Sequence, residues 1–407
     1  MEWKEVRLGD VCEIYGRIGF RGYTTNDLVD TPKEGAISLS PKNIINGELN
    51  LDQCTYIKWD KYYESPEIMI NPNDIIITKT GSSVGRTTFV RRVVHPMTLN
   101  PQLVVLKNIS ENAEFLSYYI KSALFQSVLK SIVVGSAIPT LSQKNLANLI
   151  INVPKEVAYQ RRIASILSSL DRKIELNNKI NADLEEMAQA IFKNWFVDFE
   201  PFKDGKFVDS ELGMIPEGWK VGRLTEIASY MNGLAMQKFP PENNEDSLPV
   251  LKIKELGQGF CGTDSDRCSC NIKDECKIHN GDVIFSWSGT LLVDVWCGGD
   301  CGLNQHLFKV TSKDYPKWFY YYWTKHHLQE FIHIAKDKAV TMGHIKRGHL
   351  EEALVAIPDN DSMEKAHELF EPILSKMISL RLENSRLSTL RDTLLPRLMS
   401  GELEVPE

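Results

Sequence analysis

The chain has 407 residues, of which 43% are hydrophobic and 25% are charged, and its formal net charge is −7 at pH 7. Its length predicts more than one domain, because single hydrophobic cores rarely grow beyond about 250–300 residues. Its apolar runs are shorter than the roughly 20 residues that cross a bilayer, and the charged start at Met1–Glu5 lacks the apolar segment of a secretory signal. We therefore expect a cytoplasmic protein without membrane contact.

No segment of the chain is strongly basic. Residues 1–155 carry 17 basic and 15 acidic side chains, whereas residues 201–360 carry 18 basic and 22 acidic ones. Nucleic-acid-binding domains that act alone are usually basic, so phosphate neutralisation by this chain alone would be weak. If the chain binds DNA tightly, partner proteins have to contribute to the affinity.

Residues 1–155 are predicted to form the first α+β domain. Short apolar runs at Asp74–Thr78 and Leu103–Leu106 are bounded by Asn, Pro and Gly, which predicts strands. A helical pattern follows at Glu114–Val133, and the apolar run Ile150–Pro154 ends the domain.

A long helix is predicted over residues 156–198. Apolar residues recur there at steps of three and four, the heptad pattern of a coiled coil. Asn177 and Asn181 interrupt this apolar seam, and buried Asn residues fix the register of a coil at a cost in stability. The alternative is that the helix packs only on its own domain. The predicted seam residues are Ile163, Leu167, Leu170, Ile174, Leu184, Met187 or Ala188, and Ile191.

After a linker at residues 199–218, punctuated by Pro and Gly, the chain repeats its first half. Trp3–Leu8 returns as Trp219–Leu224, and Asn73–Gly81 returns as Gly281–Gly289. Landmarks in the same order across two half-chains indicate an internal duplication. Further pairs are Leu99–Gln102 with Leu303–His306, and Ile150–Pro154 with Leu354–Pro358.

The second copy comprises a domain over residues 219–360 and a long helix over residues 361–401. Asn384 interrupts its seam at the position equivalent to Asn177. The sequence therefore predicts an α+β fold with two repeated domains, each followed by a long helix, and the two helices pair as an antiparallel coiled coil. The seam residues of the second helix are Leu369, Ile373, Met377, Leu380, Leu387, Leu394 and Leu398.

Loops rich in Gly, Ser, Arg and Lys are the candidate binding surface. Base edges are read by Arg, Lys, Asn, Gln and Ser side chains, while Lys and backbone amides hold phosphates. For any one residue, an ordinary solvated loop is the competing interpretation. The candidates in the first copy are Arg17, Arg21, Tyr23, Lys79, Thr80, Ser82, Ser83, Arg86, Ser136, Thr140, Gln143 and Lys144. Those in the second are Gln237, Lys238, Ser286, Trp287, Ser288, Thr290, Lys338, Thr341, His344 and Lys346.

Catalytic and metal-binding signatures are weak. The N/D-P-P-Y/F element and the Gly-rich cofactor loop of an amino-methyltransferase are absent, and so are H-E-x-x-H and G-x-S-x-G, so we predict no catalytic residues. Six of the eight cysteines lie between residues 261 and 301. They lack a C-x₂-C pair, so reduced thiols are favoured over a zinc site.

Several short segments together carry a family resemblance. They are Trp3–Leu8, Pro216–Leu224, Gly281–Phe285, the Gln160–Phe196 helix with its exit at Phe196–Phe199, and Thr393–Leu403. With the duplicated plan of domain and helix, the sequence resembles the specificity subunits of type I restriction–modification systems over essentially its whole length.

This resemblance implies a sequence-specific subunit that binds double-stranded DNA and has no catalytic centre. Each domain would read one half of a bipartite, non-palindromic target, and the helices would set the spacer and dock two methyltransferase subunits. Nuclease/translocase subunits would join the full complex. S-adenosylmethionine would bind to the methyltransferase, so this chain would bind no cofactor itself. The alternative is a coiled-coil scaffold that bridges proteins without reading DNA.

Overall fold

The computed structural model describes residues 2–45, 47–135, 138–242, 247–337 and 343–406. The chain divides into two compact units: Met1–Arg172 with Ser388–Glu407, and Lys173–Leu387. Each unit thus contains part of both long helices. The finer division that the sequence suggests, with boundaries near residues 155, 198, 218, 360 and 401, stays a prediction.

The first unit begins with a mixed α+β region and continues into a long helix. Its strands are β1 (Trp3–Arg7), β2 (Glu13–Tyr15), β3 (Leu28–Val29), β4 (Gly35–Leu39), β5 (Ile44–Ile45), β6 (Glu48–Leu49), β7 (Tyr56–Lys58), β8 (Ile75–Thr78), β9 (Thr87–Phe89), β10 (Met97–Leu99), β11 (Leu103–Lys107) and β12 (Ile150–Pro154). Its helices are α1 (Leu8–Val11), α2 (Trp59–Tyr63), α3 (Ala113–Lys121), α4 (Ala123–Ser131) and α5 (Gln143–Ala147), followed by α6 (Val157–Phe196), which continues into the second unit.

Two four-stranded sheets form the centre of the first unit. One has the order β2-β11-β8-β9, and the other has the order β10-β4-β7-β3, in which β10 runs parallel to β4. Every residue of β8 and β11 is buried, which explains why both read as continuous apolar runs. β1 pairs antiparallel with β12 and joins the start of the domain to its end. The strands predicted around residues 74–78 and 103–106 are confirmed.

The second unit repeats this plan. Its strands are β13 (Phe207–Ser210), β14 (Gly213–Pro216), β15 (Lys220–Arg223), β16 (Ser229–Asn232), β17 (Ser247–Leu251), β18 (Arg267–Ser269), β19 (Lys277–Ile278), β20 (Val283–Ser286), β21 (Leu292–Val295), β22 (Cys301–Leu303), β23 (Leu307–Thr311) and β24 (Leu354–Ile357). Its helices are α7 (Leu224–Ile227), α8 (Ile253–Gln258), α9 (Lys317–His326), α10 (Leu328–Asp337) and α11 (Arg347–Glu352), and α12 (Asn360–Ser400) ends in the first unit.

One four-stranded sheet of the second unit matches a sheet of the first in strand order, whereas the other, β18-β17-β22-β19, shares with its counterpart only the parallel pair of strands. The order β16-β23-β20-β21 corresponds to β2-β11-β8-β9, and β15 pairs with β24 as β1 pairs with β12. The turn before the central strand needs a positive φ in both copies. Asn73 has φ 71° and Gly281 has φ 92°, and these two residue types tolerate that conformation best. The predicted duplication is therefore present in the strand order.

The two long helices run antiparallel where they pair in the second unit. Asn177 of α6 contacts Asn384 of α12, while Phe192 packs against Phe370 with ring centroids 6.4 Å apart. The two Phe rings meet edge-on. Residue numbers rise along one helix as they fall along the other, so the predicted antiparallel pairing is confirmed. No helix within the described residues is long and apolar enough to cross a membrane.

Burial shows which residues of the two helices belong to the apolar seams. Met187 is 52% exposed while Ala188 is fully buried, so Ala188 is the seam residue of that pair. Leu369 is 41% exposed and Phe370 is fully buried, so the assignment of Leu369 to the seam was wrong. Phe370 precedes the buried Leu374 by four residues, and positions four apart share one face of a helix.

The helices also pair within the first unit. The carboxylate of Asp171 on α6 accepts a hydrogen bond from Arg391 on α12 at 2.8 Å. The backbone N–H of Val405 donates to the hydroxyl of Tyr159 at 2.9 Å. Leu398 and Met399 join the buried core of this unit. The end of the chain is therefore part of the first unit's core.

Candidate nucleic-acid interface

In the first unit, three separate segments meet at the end of the central strand. The carbonyl of Lys79 accepts from the N–H of Leu141 at 2.7 Å, and the N–H of Gly81 donates to the carbonyl of Pro139 at 3.0 Å. The N–H of Lys79 also donates to the carbonyl of Gln102 at 2.8 Å. We call residues 79–81, 100–102 and 139–141 the first loop cluster.

The second unit builds the same arrangement. The carbonyl of Trp287 accepts from the N–H of Ile345 at 3.1 Å, and the N–H of Gly289 donates to the carbonyl of Gly343 at 2.9 Å. Residues 287–289, 304–306 and 343–345 form the second loop cluster. The backbone hydrogen bonds make Trp287 the equivalent of Lys79.

A β-bridge completes each cluster and identifies another equivalent pair. Thr80 pairs with Thr140 in the first unit, and Ser288 pairs with His344 in the second. Segments about 55–60 residues apart in sequence are held at bridge distance in both copies. Two of the candidate loops, which are distant in sequence, thus lie side by side in each unit.

The Asn residues at 100 and 304 have a structural role. The side-chain oxygen of Asn100 accepts from the N–H of Gln102 at 2.9 Å, and that of Asn304 accepts from the N–H of His306 at 3.2 Å. Such Asx turns stabilise a tight reversal of the chain. They fix the positions of the residues that follow, Gln102 and His306.

Arg17 was predicted to contact DNA, but the structure gives it a different position. Its side chain is buried and donates to the carbonyl of Leu99 at 2.8 Å, to the hydroxyl of Thr98 at 3.1 Å and to the carbonyl of Arg21 at 3.1 Å. Its guanidinium lies 5.3 Å from the ring centre of Tyr23. Burial also lowers the pKa of Arg17. We therefore correct its role to that of an internal brace.

Ser286 and Ser288 need the same correction. Both are buried. The hydroxyl of Ser286 donates to the carbonyl of Thr290 at 2.8 Å, inside the turn. The hydroxyl of Ser288 lies 3.1 Å from Nδ1 of His306. Because both hydroxyls are used internally, these residues shape the second loop cluster and do not face a ligand.

The other predicted residues differ in exposure. Those exposed are Ser82, Arg86, Thr140, Lys144, Gln237, Lys238, Thr290, His344 and Lys346, and those half-buried are Arg21, Tyr23, Lys79, Thr80, Ser83, Gln143 and Trp287. Burial lowers the pKa of Lys79. Three predicted residues, Ser136, Lys338 and Thr341, lie outside the described residues.

Two of the half-buried residues are held by specific contacts. The side chain of Arg21 pairs with Glu67 at 3.3 Å. The hydroxyl of Tyr23 accepts from Ser38 at 2.8 Å. Both side chains are therefore anchored within the first unit, with part of their surface open to solvent.

Trp287 has an unsatisfied donor. Its indole Nε1 is buried and has no hydrogen-bond partner among the residues described. Its ring lies 5.9 Å from that of His306 and 6.3 Å from that of His344. The half-buried indole thus packs against both histidines, which leaves part of its surface accessible.

The structure also shows residues that sequence analysis missed. A cavity of about 630 Å³ opens beside His306 in the second unit. Lys252 directly precedes α8, and Lys254 is the second residue of that helix. No periodicity or motif in the sequence had marked either residue. Gln305 had been noted only as part of a strand-end segment. The cavity is lined by Lys252, Lys254, Asp266, Arg267, Gln305 and His306, among others.

The cysteines and the acidic residues do not assemble a metal site in the described part of the chain. No group of three or more His, Cys, Asp or Glu side chains there could hold a metal ion, and all eight cysteines are free thiols. Cys261 and Cys301 are neighbours, and a hydrogen bond from the Cys301 thiol lowers the pKa of Cys261.

Comparison with known proteins gives one consistent result. The family described as the type I restriction modification DNA specificity domain matches residues 1–186 and 216–386. The chain is 28% identical to the type I restriction enzyme MjaIX specificity subunit of Methanocaldococcus jannaschii, over 100% of this chain and 94% of that protein. It is 22% identical to the type I restriction enzyme HindI specificity subunit of Haemophilus influenzae, over 99% and 100% of the two chains.

A solved structure shares the fold. The S subunit of a type I restriction-modification system from M. genitalium superposes with a TM-score of 0.56 at 15% identity, covering 98% of this chain and 96% of that one.

Proposed function

Because the chain belongs to the type I restriction–modification DNA specificity family, we propose that its two recognition domains read the two halves of a bipartite, non-palindromic DNA target. The observation that carries this proposal is the loop cluster that is built twice, with two equivalent backbone hydrogen bonds and an equivalent β-bridge. Equivalent positions carry different side chains: Lys79 against Trp287, and Thr140 against His344. Base pairs differ in their donor and acceptor patterns, so these differences favour two different half-sites.

We assign DNA contact to the side chains that remain accessible around the two clusters. In the first unit these are Arg21, Tyr23, Lys79, Thr80, Ser82, Ser83, Arg86, Thr140, Gln143 and Lys144. In the second they are Gln237, Lys238, Trp287, Thr290, His344 and Lys346. Ser136, Lys338 and Thr341 stay in the proposal on sequence grounds alone.

The long helices are proposed to set the spacer and to dock two methyltransferase subunits. Large apolar side chains lie exposed on them: Leu176 and Met187 are each 52% exposed, and Leu390 is 47% exposed. Exposed apolar surface of this kind commonly marks a protein interface. The net charge of −7 also supports partners that supply basic surface for the DNA backbone.

The catalytic steps are assigned to the partners. S-adenosylmethionine would bind to the methyltransferase subunits, and nuclease/translocase subunits would complete the assembly. This chain would act without a cofactor and without a catalytic residue, by choosing where on the DNA the partners work.

The test is a map of methylated bases in a host that expresses this chain with its methyltransferase subunit, read by long-read sequencing. We expect a two-part motif with a fixed gap that disappears when the gene for this chain is deleted. Exchange of residues 219–360 for those of another family member should change one half of the motif and leave the other half intact. Methylation that continues unchanged after deletion would contradict the proposal and favour the protein-bridging scaffold.

A further inference from the structure

The cavity beside the second loop cluster has a positive lining in an acidic region of the chain. Residues 201–360 carry 18 basic and 22 acidic side chains. The residues that line the cavity nevertheless include three basic side chains, those of Lys252, Lys254 and Arg267, and one carboxylate, that of Asp266. A local excess of positive charge in an acidic domain attracts an anion to this place in particular.

The basic side chains at the cavity are available to a ligand. Lys252 pairs with Asp266 at 2.5 Å, and Lys254 pairs with Asp264 at 2.6 Å. The side chains of these four residues are between 42% and 71% exposed. Exposed ion pairs of this kind contribute only about 0–1 kcal/mol, so a phosphate can replace the aspartates at little cost.

At the cavity, the two units carry different residues at equivalent positions. The N–H of Asn304 donates to the carbonyl of Leu251 at 3.1 Å, as the N–H of Asn100 donates to the carbonyl of Leu39 at 2.8 Å. Lys252 therefore occupies the position that Ser40 has in the first unit. In the same way, Gln305 and His306 replace Pro101 and Gln102.

Gln305 is a cavity residue suited to reading a base. It is exposed, and it is the middle residue of the Asx turn that Asn304 makes with His306. Its side-chain amide lies 3.3 Å from Nε2 of His306, and His306 is in turn held by Ser288 at 3.1 Å. A Gln amide can donate and accept at once, as the edge of adenine requires.

We propose that this cavity receives the DNA strand of the second half-site, with Lys252, Lys254 and Arg267 on its phosphates and Gln305 on a base edge. This inference rests on the proposed function and names a specificity-determining residue for it. The phosphate contacts add affinity without sequence preference, whereas Gln305 adds preference at one base pair.

The phosphate contacts are tested by the salt dependence of DNA binding. The full chain, in complex with its methyltransferase subunit, is titrated with a duplex that carries the methylated motif over a series of salt concentrations. Lys252→Ala and Lys254→Ala should each make the slope of log K against log salt less negative by about 0.9. A slope that equals that of the wild type in both variants would overturn the assignment.

A matched control is Lys313→Ala. Lys313 is exposed and comes just after the last residue of β23. The cavity is at the opposite end of this strand, where Gln305 and His306 precede its first residue. The same loss of one positive charge at this end should leave the slope unchanged. Arg267→Ala is a third variant, and its folding is checked by circular dichroism because Arg267 also donates to Ser247 at 2.5 Å.

The base contact is tested by mapping methylation in cells that carry Gln305→Ala. We expect one base pair of one half-site to become degenerate, while the other half and the gap stay as in the wild type. An unchanged motif would overturn the role of Gln305. Failure of the proposed function looks different, because the wild-type chain would then direct no two-part motif at all.

Discussion

The side-chain amide of Asn177 donates a hydrogen bond to the side-chain oxygen of Asn384 at 2.9 Å. The two residues occupy equivalent positions in the duplicated sequence, and they meet across the pair of long helices. Asn177 also donates to Glu383 at 2.8 Å, and Asn384 donates to Asn178 at 2.7 Å. A shift of one helix along the other would break all three bonds, so this group selects one register.

Asn177→Leu is expected to raise the free energy of unfolding by about 1 kcal/mol and to weaken the choice of register. The reason is that Asn177 is fully buried and its Oδ1 lacks a hydrogen-bond partner among the residues described. Urea denaturation measures the first effect, and the spectrum of backbone amides by NMR shows whether a second register is populated. Lys179→Leu is the control, since it places the same side chain on an exposed face. A loss of stability in Asn177→Leu would contradict the argument.

Asp171→Asn is expected to destabilise the first unit by about 2 kcal/mol. The carboxylate of Asp171 accepts from the hydroxyl of Tyr118 at 2.5 Å and from Arg391 at 2.8 Å, so its loss leaves two partly buried donors without an anionic partner. Chemical denaturation of the purified chain measures the effect. Asp392→Asn removes a carboxylate that also pairs with Arg391 but is 63% exposed, and it should cost less than about 1 kcal/mol. Equal losses of unfolding free energy in the two variants would contradict this role of Asp171.

Gly233→Ala is expected to disturb the second loop cluster. A Cβ atom at this position would lie 2.2 Å from the carbonyl oxygen of Leu303 and 2.4 Å from that of Asn304, and neither backbone atom can move without shifting the Asx turn. We expect a loss of about 1–3 kcal/mol and weaker reading of one half-site, with the other half retained. Thermal unfolding and methylation mapping give the two readouts. At Gly257, in α8, a Cβ atom would meet nothing within 4 Å, so Gly257→Ala should be neutral or stabilising.

Cys261 is expected to be alkylated before Cys54, although both thiols are half-buried. A hydrogen bond from Cys301 lowers the pKa of Cys261, whereas burial raises the pKa of Cys54. A lower pKa gives more thiolate at about pH 8, and the thiolate is the reactive form. Burial raises the pKa of Cys297 to about 11, so this thiol should react later still. Timed iodoacetamide labelling with peptide mass spectrometry measures the order, and faster reaction at Cys54 would contradict it.

The sequence was sufficient to predict the features that are written locally along the chain. The duplication appears as repeated landmarks, and the long helices appear as apolar residues three and four apart, so both could be read without a structure. The sequence was a weaker guide to which face of a long helix is buried. Leu369 and Phe370 are adjacent and both apolar, so either could have been the buried one. Only the packing of Phe370 beside Phe192 decided which of them is buried.

The structure brings parts of the predicted loops together, and their contact with DNA stays a prediction; several individual side chains lie where the sequence did not place them. Arg17 is a basic residue in a Gly-rich loop, as expected of a DNA contact. Its guanidinium nevertheless donates hydrogen bonds to Thr98 and Leu99, some 80 residues later in the chain. The sequence alone could not show this, because burial depends on which distant strand lies next to the loop.

What the sequence by itself determined is therefore the plan: two similar domains, two long helices and an Asn at the equivalent position of each seam. The tertiary structure decided which polar side chains face inward and which face solvent. It also brought Lys252, Arg267 and Gln305 to one cavity from three separate segments. The physical reason is that periodicity and order act between near neighbours in the chain, whereas a binding surface is made by residues that only folding places together.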